Sequence, residues 1–238
     1  MEFSEKLVLG FAWYVVFLFS IVCHEAAHAL VAMWLGDRTA YFGGQVTLDP
    51  LPHIRREPFG TVLVPILTYF YSGWMLGWAS APVDAYWANR YPRRAAIVSL
   101  AGPVANLILF LIAVIGIRAG MWFGILDAPE RVTFGHVTEA TRAGLAGGIA
   151  VLLGLLFSLN LLLAVFNMLP VPPLDGSNVV TLLMNRRMAD QFQELRRNPT
   201  FLYIGLIAAV LLGGQVVWPI HTLALNVLYP GHDYHAAD

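Results

Sequence analysis

Cysteine is almost absent. Cys23 stands alone among 238 residues, which excludes an intrachain disulfide and leaves this residue as a small apolar filler. Charge is scarce as well: 12% of residues are Asp, Glu, Lys or Arg, against about a quarter in soluble domains, while 58% are hydrophobic and the mean hydropathy is +0.66. Such a composition excludes an ordinary soluble domain and indicates an integral membrane protein. Neither sign of charge dominates, the net value being −1 with neutral histidines. The chain therefore offers no field for nucleic acid or a strongly charged substrate, and no nucleic-acid partner is expected. There is no lipidation motif. The first apolar run, about residues 7–35, exceeds the roughly 7–15 residues of a signal-peptide core and holds the polar motif described below, so it is read as a retained helix.

Five apolar runs, at about residues 7–35, 59–79, 95–117, 144–169 and 201–228, each approach the roughly 20 residues needed to span a hydrocarbon core. They predict an all-α, polytopic transmembrane helix bundle of about five to six membrane segments. Between the first two, residues 41–50 mix β-favouring side chains with Gly and end in Pro50, which predicts a short β-hairpin or re-entrant loop. If all five runs cross, Lys and Arg divide eight against six between the two faces, a slight bias toward a cytoplasmic N-terminus.

His24, Glu25 and His28 form an H-E-x-x-H run inside the first apolar segment. Chance yields that run about 0.006 times in this composition, too seldom for coincidence to be the default. On a helix, positions i and i+4 share a face, so the two imidazoles converge on one ion while Glu25, about 100° round, reaches metal-bound water. Ionisable groups in a spanning segment are costly and usually face a protein interior or a water-filled cavity. Catalytic zinc commonly keeps three protein ligands and one water, so a further ligand is required. The stretch from Asn167 to Gly176 offers Asp175 behind Pro170, Pro172 and Pro173, which must interrupt any helix. Irregular backbone is tolerated at membrane depth only where it is buried in protein or lines a cavity. The other reading of this stretch is an interfacial turn with a solvated aspartate. With five full crossings Asp175 would lie at the face where the chain entered, away from His24. Either residues 59–79 do not cross simply, or residues 170–185 dip back into the membrane.

H-E-x-x-H in an early membrane helix, followed far downstream by N-x-x-P-x-P-P-L-D-G, resembles the site-2 protease family of intramembrane zinc metalloproteases. Gly77-Trp78-Ala79, the Ala101 to Asn106 run Ala-Gly-Pro-Val-Ala-Asn, and the stretch from Thr47-Leu48-Asp49-Pro50 to Pro58-Phe59-Gly60-Thr61 resemble its compact bacterial and archaeal members. The likeness covers about residues 10–185. It implies one Zn2+ per chain held by His24, His28 and Asp175, Glu25 as the catalytic carboxylate, and Asn167 engaging the scissile carbonyl or its oxyanion. It also implies a multi-pass protein of a prokaryotic cell (inner) membrane, acting in the lipid bilayer on transmembrane protein substrates, with a homo-oligomer or a regulatory membrane partner left open. The domain reading is one integral-membrane metalloprotease unit over 1–238, with a catalytic core over about 10–185, a membrane helix over about 201–228 and a polar tail over 229–238. No length is expected for an inserted peptide-binding domain. Where compact relatives continue Gly-Trp-Ala with Lys-Pro-Val-Pro, this chain has Ser80-Ala81-Pro82-Val83-Asp84, so no role tied to that lysine carries over.

Lesser candidates are Asn106, which would orient a ligand, contact substrate or join helices; His53 with Arg55, Arg56 and Glu57, a substrate entrance or a plain interfacial loop; and His221, His232 and His235, read as adventitious or solvated. Residues 40–50 would receive an unwound substrate by strand addition. Two rival functions remain at this level, a catalytically silent membrane adaptor or chaperone and a zinc or proton transporter. Intact Glu25 speaks against the first, and the confinement of polar residues to two motifs speaks against the second.

Overall fold

A computed structural model describes residues 3–196 and 198–235. The chain begins with α1 (Phe3–Leu35), then two short helices, α2 (Thr39–Phe42) and α3 (Pro50–Arg56). A π-helical turn at Phe59–Leu63 leads into α4 (Val64–Ser72), followed by α5 (Ala85–Arg90) and α6 (Pro92–Trp122). Strands β1 (Leu126–Asp127) and β2 (Glu139–Ala140) then form a two-stranded antiparallel sheet. The chain ends with α7 (Leu145–Asn167), α8 (Gly176–Val179), a 3-10 turn, α9 (Arg186–Arg196) and α10 (Pro199–Leu228). Among the described residues four helices, α1, α6, α7 and α10, are long and apolar enough to cross a membrane.

The structure decides two readings that the sequence left open. Residues 41–50 form no hairpin. Asp37 accepts from the N–H and hydroxyl of Thr39, the first residue of α2, at 2.9 and 2.6 Å, and Asp49 caps α3 through Leu51 N–H at 2.9 Å. Asp-Pro here is an N-cap followed by N1, the start of a helix rather than the end of a strand. The small sheet instead lies at 126–127 and 139–140, joining α6 to α7.

Residues 59–79, one of the five apolar runs, form a re-entrant arm, one of the two alternatives the sequence left open. Helix α4 ends at Gly73, whose φ of +77° is the left-handed conformation that glycine adopts freely. At this tip Tyr69 Oη donates to Lys6 O at 2.9 Å, beside the start of α1. The chain then returns extended to Asp84, whose N–H donates to Asp37 Oδ2 at 2.9 Å beyond the far end of α1. The two limbs touch at backbone distance: Trp78 N–H donates to Gly60 O at 3.1 Å, and a Cβ on Gly77 would lie 2.2 Å from Gly60 O. Along the returning limb the backbone partners alternate. Leu76 N–H binds Thr68 Oγ1, Trp78 N–H binds Gly60 O, Ser80 O accepts from Gln45 Nε2, and Asp84 N–H binds Asp37. Odd-numbered residues point their backbone groups to the opposite side. Among the described residues the N–H groups of Ala79, Ala81 and Val83 take no backbone partner.

With the arm removed from the count of crossings, α1 and α7 both end at one face, here called distal. Arg94 Nη1 donates to Leu35 O, fixing the start of α6 beside the end of α1, and Arg118 Nη1 donates to Leu228 O, joining the proximal ends of α6 and α10. The charge balance shifts accordingly. Among residues whose side chains are described, Arg38, Arg55, Arg56, Arg90, Arg93, Arg94, Arg187 and Arg196 lie toward the distal face, against Lys6, Arg118, Arg131 and Arg142 toward the proximal one. The slight bias read from five crossings is thereby reversed, because the arm returns Arg90, Arg93 and Arg94 to the same side as Arg38, Arg55 and Arg56. Aromatic and aliphatic side chains fill the contacts between these elements: Trp13, Phe17 and Ile21 of α1 pack with Tyr69, Met75, Phe134 and Leu155.

Candidate metal centre

His24 and His28 project from the same face of α1 with their Nε2 atoms 3.0 Å apart. Asp175 Oδ2 lies 3.1 Å from the first and 3.3 Å from the second. His24 lies eleven residues before Leu35, about 17 Å from the distal end of α1 at 1.5 Å per residue. Asp175 reaches it because the Pro-rich stretch folds back over the end of α7: a Cβ on Gly176 would sit 2.2 Å from Met168 O. Both alternatives raised by the sequence are realised, since residues 59–79 do not cross and the Asp175 stretch packs inward.

The outer edges of both imidazoles are committed. His28 Nδ1–H donates to Val98 O at 2.7 Å, and His24 Nδ1 meets Asn106 Oδ1 at 2.5 Å. The amide of Asn106 donates to Ser20 O at 3.3 Å and Asn160 Oδ1 at 2.8 Å, so its oxygen is the acceptor for His24. Asn160 Nδ2 in turn donates to Ser20 Oγ at 2.9 Å. With each Nδ1 holding a proton, neutral rings turn bare Nε2 lone pairs toward each other and toward a carboxylate. That arrangement is repulsive unless a cation or a proton sits between them.

These residues fit a zinc ion. Tetrahedral coordination at about 2.0–2.2 Å places ligand atoms roughly 3.3–3.5 Å apart, and the observed separations of 3.0 to 3.3 Å need only tenths of an ångström of adjustment. The space is kept by Gly102 of α6, where a Cβ would lie 2.4 Å from both Nε2 atoms. Among the described residues His24, His28 and Asp175 are the group of side chains able to hold a metal ion. Glu25 is buried beside them at 7% exposure, close enough to His28 for its carboxylate to act on that ring.

The structure does not bring Asn167 into this group. Its amide donates to Leu163 O at 3.0 Å, one turn back along α7. Asn106, second in rank from sequence, proves to be the direct partner of His24, while Asn160 and Ser20 were missed. Their signal was present, as polar side chains inside apolar spanning helices seldom lack a purpose. His221, read as adventitious, is buried and bonds Ser158 at 2.8 Å, joining α10 to α7. His53 is also buried, with Nε2 donating to Thr47 O at 3.2 Å, which removes it from an exposed entrance.

A multi-helix membrane protein with a buried His-His-Asp centre and an adjoining glutamate has the architecture of a membrane-embedded metallohydrolase. The family follows from comparison: the model of Peptidase family M50 matches residues 12–212, and the chain belongs to that family, the site-2 proteases. It is 30% identical over 207 residues to the putative zinc metalloprotease YwhC of Bacillus subtilis, covering 87% of this chain and 84% of that protein. It is also 30% identical over 159 residues to the putative zinc metalloprotease Rip2 of Mycolicibacterium smegmatis and 31% identical over the same length to Rip2 of Mycobacterium tuberculosis. Those matches cover 67% of this chain and 52% of each Rip2, so the chain spans about half their length. No solved structure matches it. The protein is a zinc metalloprotease and an integral membrane protein.

Proposed function

We propose that this protein is an intramembrane endopeptidase of a prokaryotic cell membrane, hydrolysing peptide bonds within or next to transmembrane segments of other proteins. The reading rests on one observation: His24, His28 and Asp175 converge beside Glu25 within helices long and apolar enough to cross a bilayer. His24, His28 and Asp175 are the zinc ligands in this proposal, in a unit whose core runs over about residues 10–185. When bound, zinc supplies Lewis acidity, bringing the pKa of a water ligand toward about 7 and polarising a substrate carbonyl.

The chain's own residues supply the rest. Asn106 and Val98 O hold the two imidazoles in the tautomer that leaves Nε2 free, an orienting role that typically matters 10 to 100-fold, as a rough measure, for metal affinity. Glu25 accepts the proton of the attacking water and passes it to the leaving amine. Asn167 donates to the developing oxyanion after releasing Leu163 O, a contribution of order 3 kcal/mol when aligned.

A helical substrate must unwind locally, since paired backbone hides the scissile carbonyl. Strand addition is better supported on the returning limb of the re-entrant arm than on residues 40–50. The limb is extended, and its odd-numbered N–H groups are unpaired. It runs past α1 from Phe17 to Asp37, levels that bracket His24 and His28.

Glu25→Gln in native membranes tests the function. The variant should retain zinc, lose cleavage by about a hundredfold or more, and accumulate uncleaved clients. Full cleavage by this variant would refute the assignment of Glu25, and client processing identical with and without the carboxylate would favour an adaptor.

A further inference from the structure

Behind the metal centre lies a cavity of about 320 Å³ lined by Val98 and Ser99 of α6, Asn89 of α5, Asn178 of α8, and Gln193 and Arg196 of α9. It opens between elements that gather at the distal face. Its inner wall is continuous with the centre: Val98 O accepts from His28, and Asn178 lies one turn after Asp175, its N–H donating to Asp175 O at 2.8 Å. Arg196 Nη1 donates to Asn178 Oδ1, and Asn178 Nδ2 donates to Ser99 Oγ at 2.8 Å.

Arg196 is the charged side chain of this wall, and its hydrogen-bonding capacity is not filled. Its Nε is out of contact with water and has no hydrogen-bond partner. Burial lowers the guanidinium below the ordinary arginine value, while the nearby charge of Asp175 works in the opposite direction. A desolvated guanidinium with an unfilled donor favours an acceptor that can take two parallel N–H bonds, and a carboxylate has that shape. Asn178 leaves the cation in place by holding one Nη.

We infer that Arg196, steadied by Asn178 and Ser99, is a carboxylate-binding residue that receives an acidic group of the peptide on the distal side of the metal centre. The inference rests on the protease reading, which supplies two sources of that chemistry: an acidic side chain of the substrate, or the new terminal carboxylate that hydrolysis leaves at the centre. Arg196 thereby contributes to the choice of substrate, or draws the product away from the metal.

The test is a binding measurement on the zinc-loaded full chain in neutral-lipid nanodiscs, with cleavage assayed separately so that a failed protease reading is seen as such. Three fluorescent versions of one short peptide are compared: one with a free C-terminal carboxylate, one amidated, and one amidated with a single Gln replaced by Glu. Wild-type protein should prefer at least one acidic peptide by about tenfold, and the preferred one identifies the source. Arg196→Gln should abolish the preference, and Arg196→Lys should restore part of it, keeping the charge without the bidentate edge. Equal affinity of wild type for all three peptides would overturn the inference whether or not the variants fold. A preference that persists in Arg196→Gln would overturn it too, assigning the acid to the metal. So would the absence of any preference in neutral lipid together with displacement by anionic lipid, which would make the cavity a headgroup site.

Discussion

Gly102 is where one missing carbon matters most. In an ordinary helix Gly→Ala is favourable by up to about 1 kcal/mol. At this position the added methyl would meet both imidazole nitrogens at 2.4 Å. Gly102→Ala should therefore lower zinc affinity by about tenfold or more while leaving the metal-free fold intact, as read by metal analysis beside circular dichroism. Asn106 is separable from its neighbours in the same way. Asn106→Leu strands the Nδ1–H of His24 and the carboxamide oxygen of Asn160, at about 1–3 kcal/mol for each unpaired buried group. Asn106→Asp keeps the acceptor for His24 and should retain more zinc than the leucine variant under competition with a chelator. His24, Glu25 and His28 were legible because they stand in a fixed spacing, and Asp175 through the resemblance of its Pro-rich motif to that of the family. Asn106 was only half legible, since its partner His24 is 82 residues away, and the glycine's reason could not be read at all.

Among the elements, the re-entrant arm depends on Gly60 and Gly77, where two limbs approach through backbone alone. Gly77→Ala should destabilise the protein by roughly 1–3 kcal/mol through overpacking against Gly60 O and the Phe17 ring, measurable as a lowered unfolding midpoint in detergent. Ala81→Pro removes one N–H from the unpaired edge and leaves the packed side untouched. Cleavage should fall while zinc content stays at wild-type level, and unchanged cleavage would argue against strand addition there. Composition could not distinguish this arm from a crossing helix, because residues 59–79 are apolar throughout, and what breaks them is a single glycine followed by an extended return. At residues 41–50 the β-favouring side chains were outweighed by local capping chemistry. Asp37 accepts from the first N–H of α2 and Asp49 caps α3, the latter a signal visible in the sequence as Asp49-Pro50 but secondary to the aromatic and glycine content of the stretch.

At the scale of the whole molecule, the arm decides orientation. With α1, α6, α7 and α10 as the spanning helices, the distal face carries eight of the described basic side chains named above and the proximal face four. The distal face should be cytoplasmic, so reporter fusions near residue 187 should report the cytoplasm and fusions after residue 235 the opposite side. A cytoplasmic C-terminus would reverse this topology. The amino-acid sequence alone determined that the protein resides in a membrane, that its helices are long and apolar, and that one helix presents two imidazoles on a shared face with a carboxylate about 100° round from the first. Each of these follows from composition or from short-range periodicity. Only the tertiary structure decided that an apolar run turns back, that Asp175 therefore arrives at the same end as His24, and that Gly102 and Asn106 shape and orient the centre. Those outcomes depend on chain parity and on contacts between residues far apart in sequence, which local pattern does not encode.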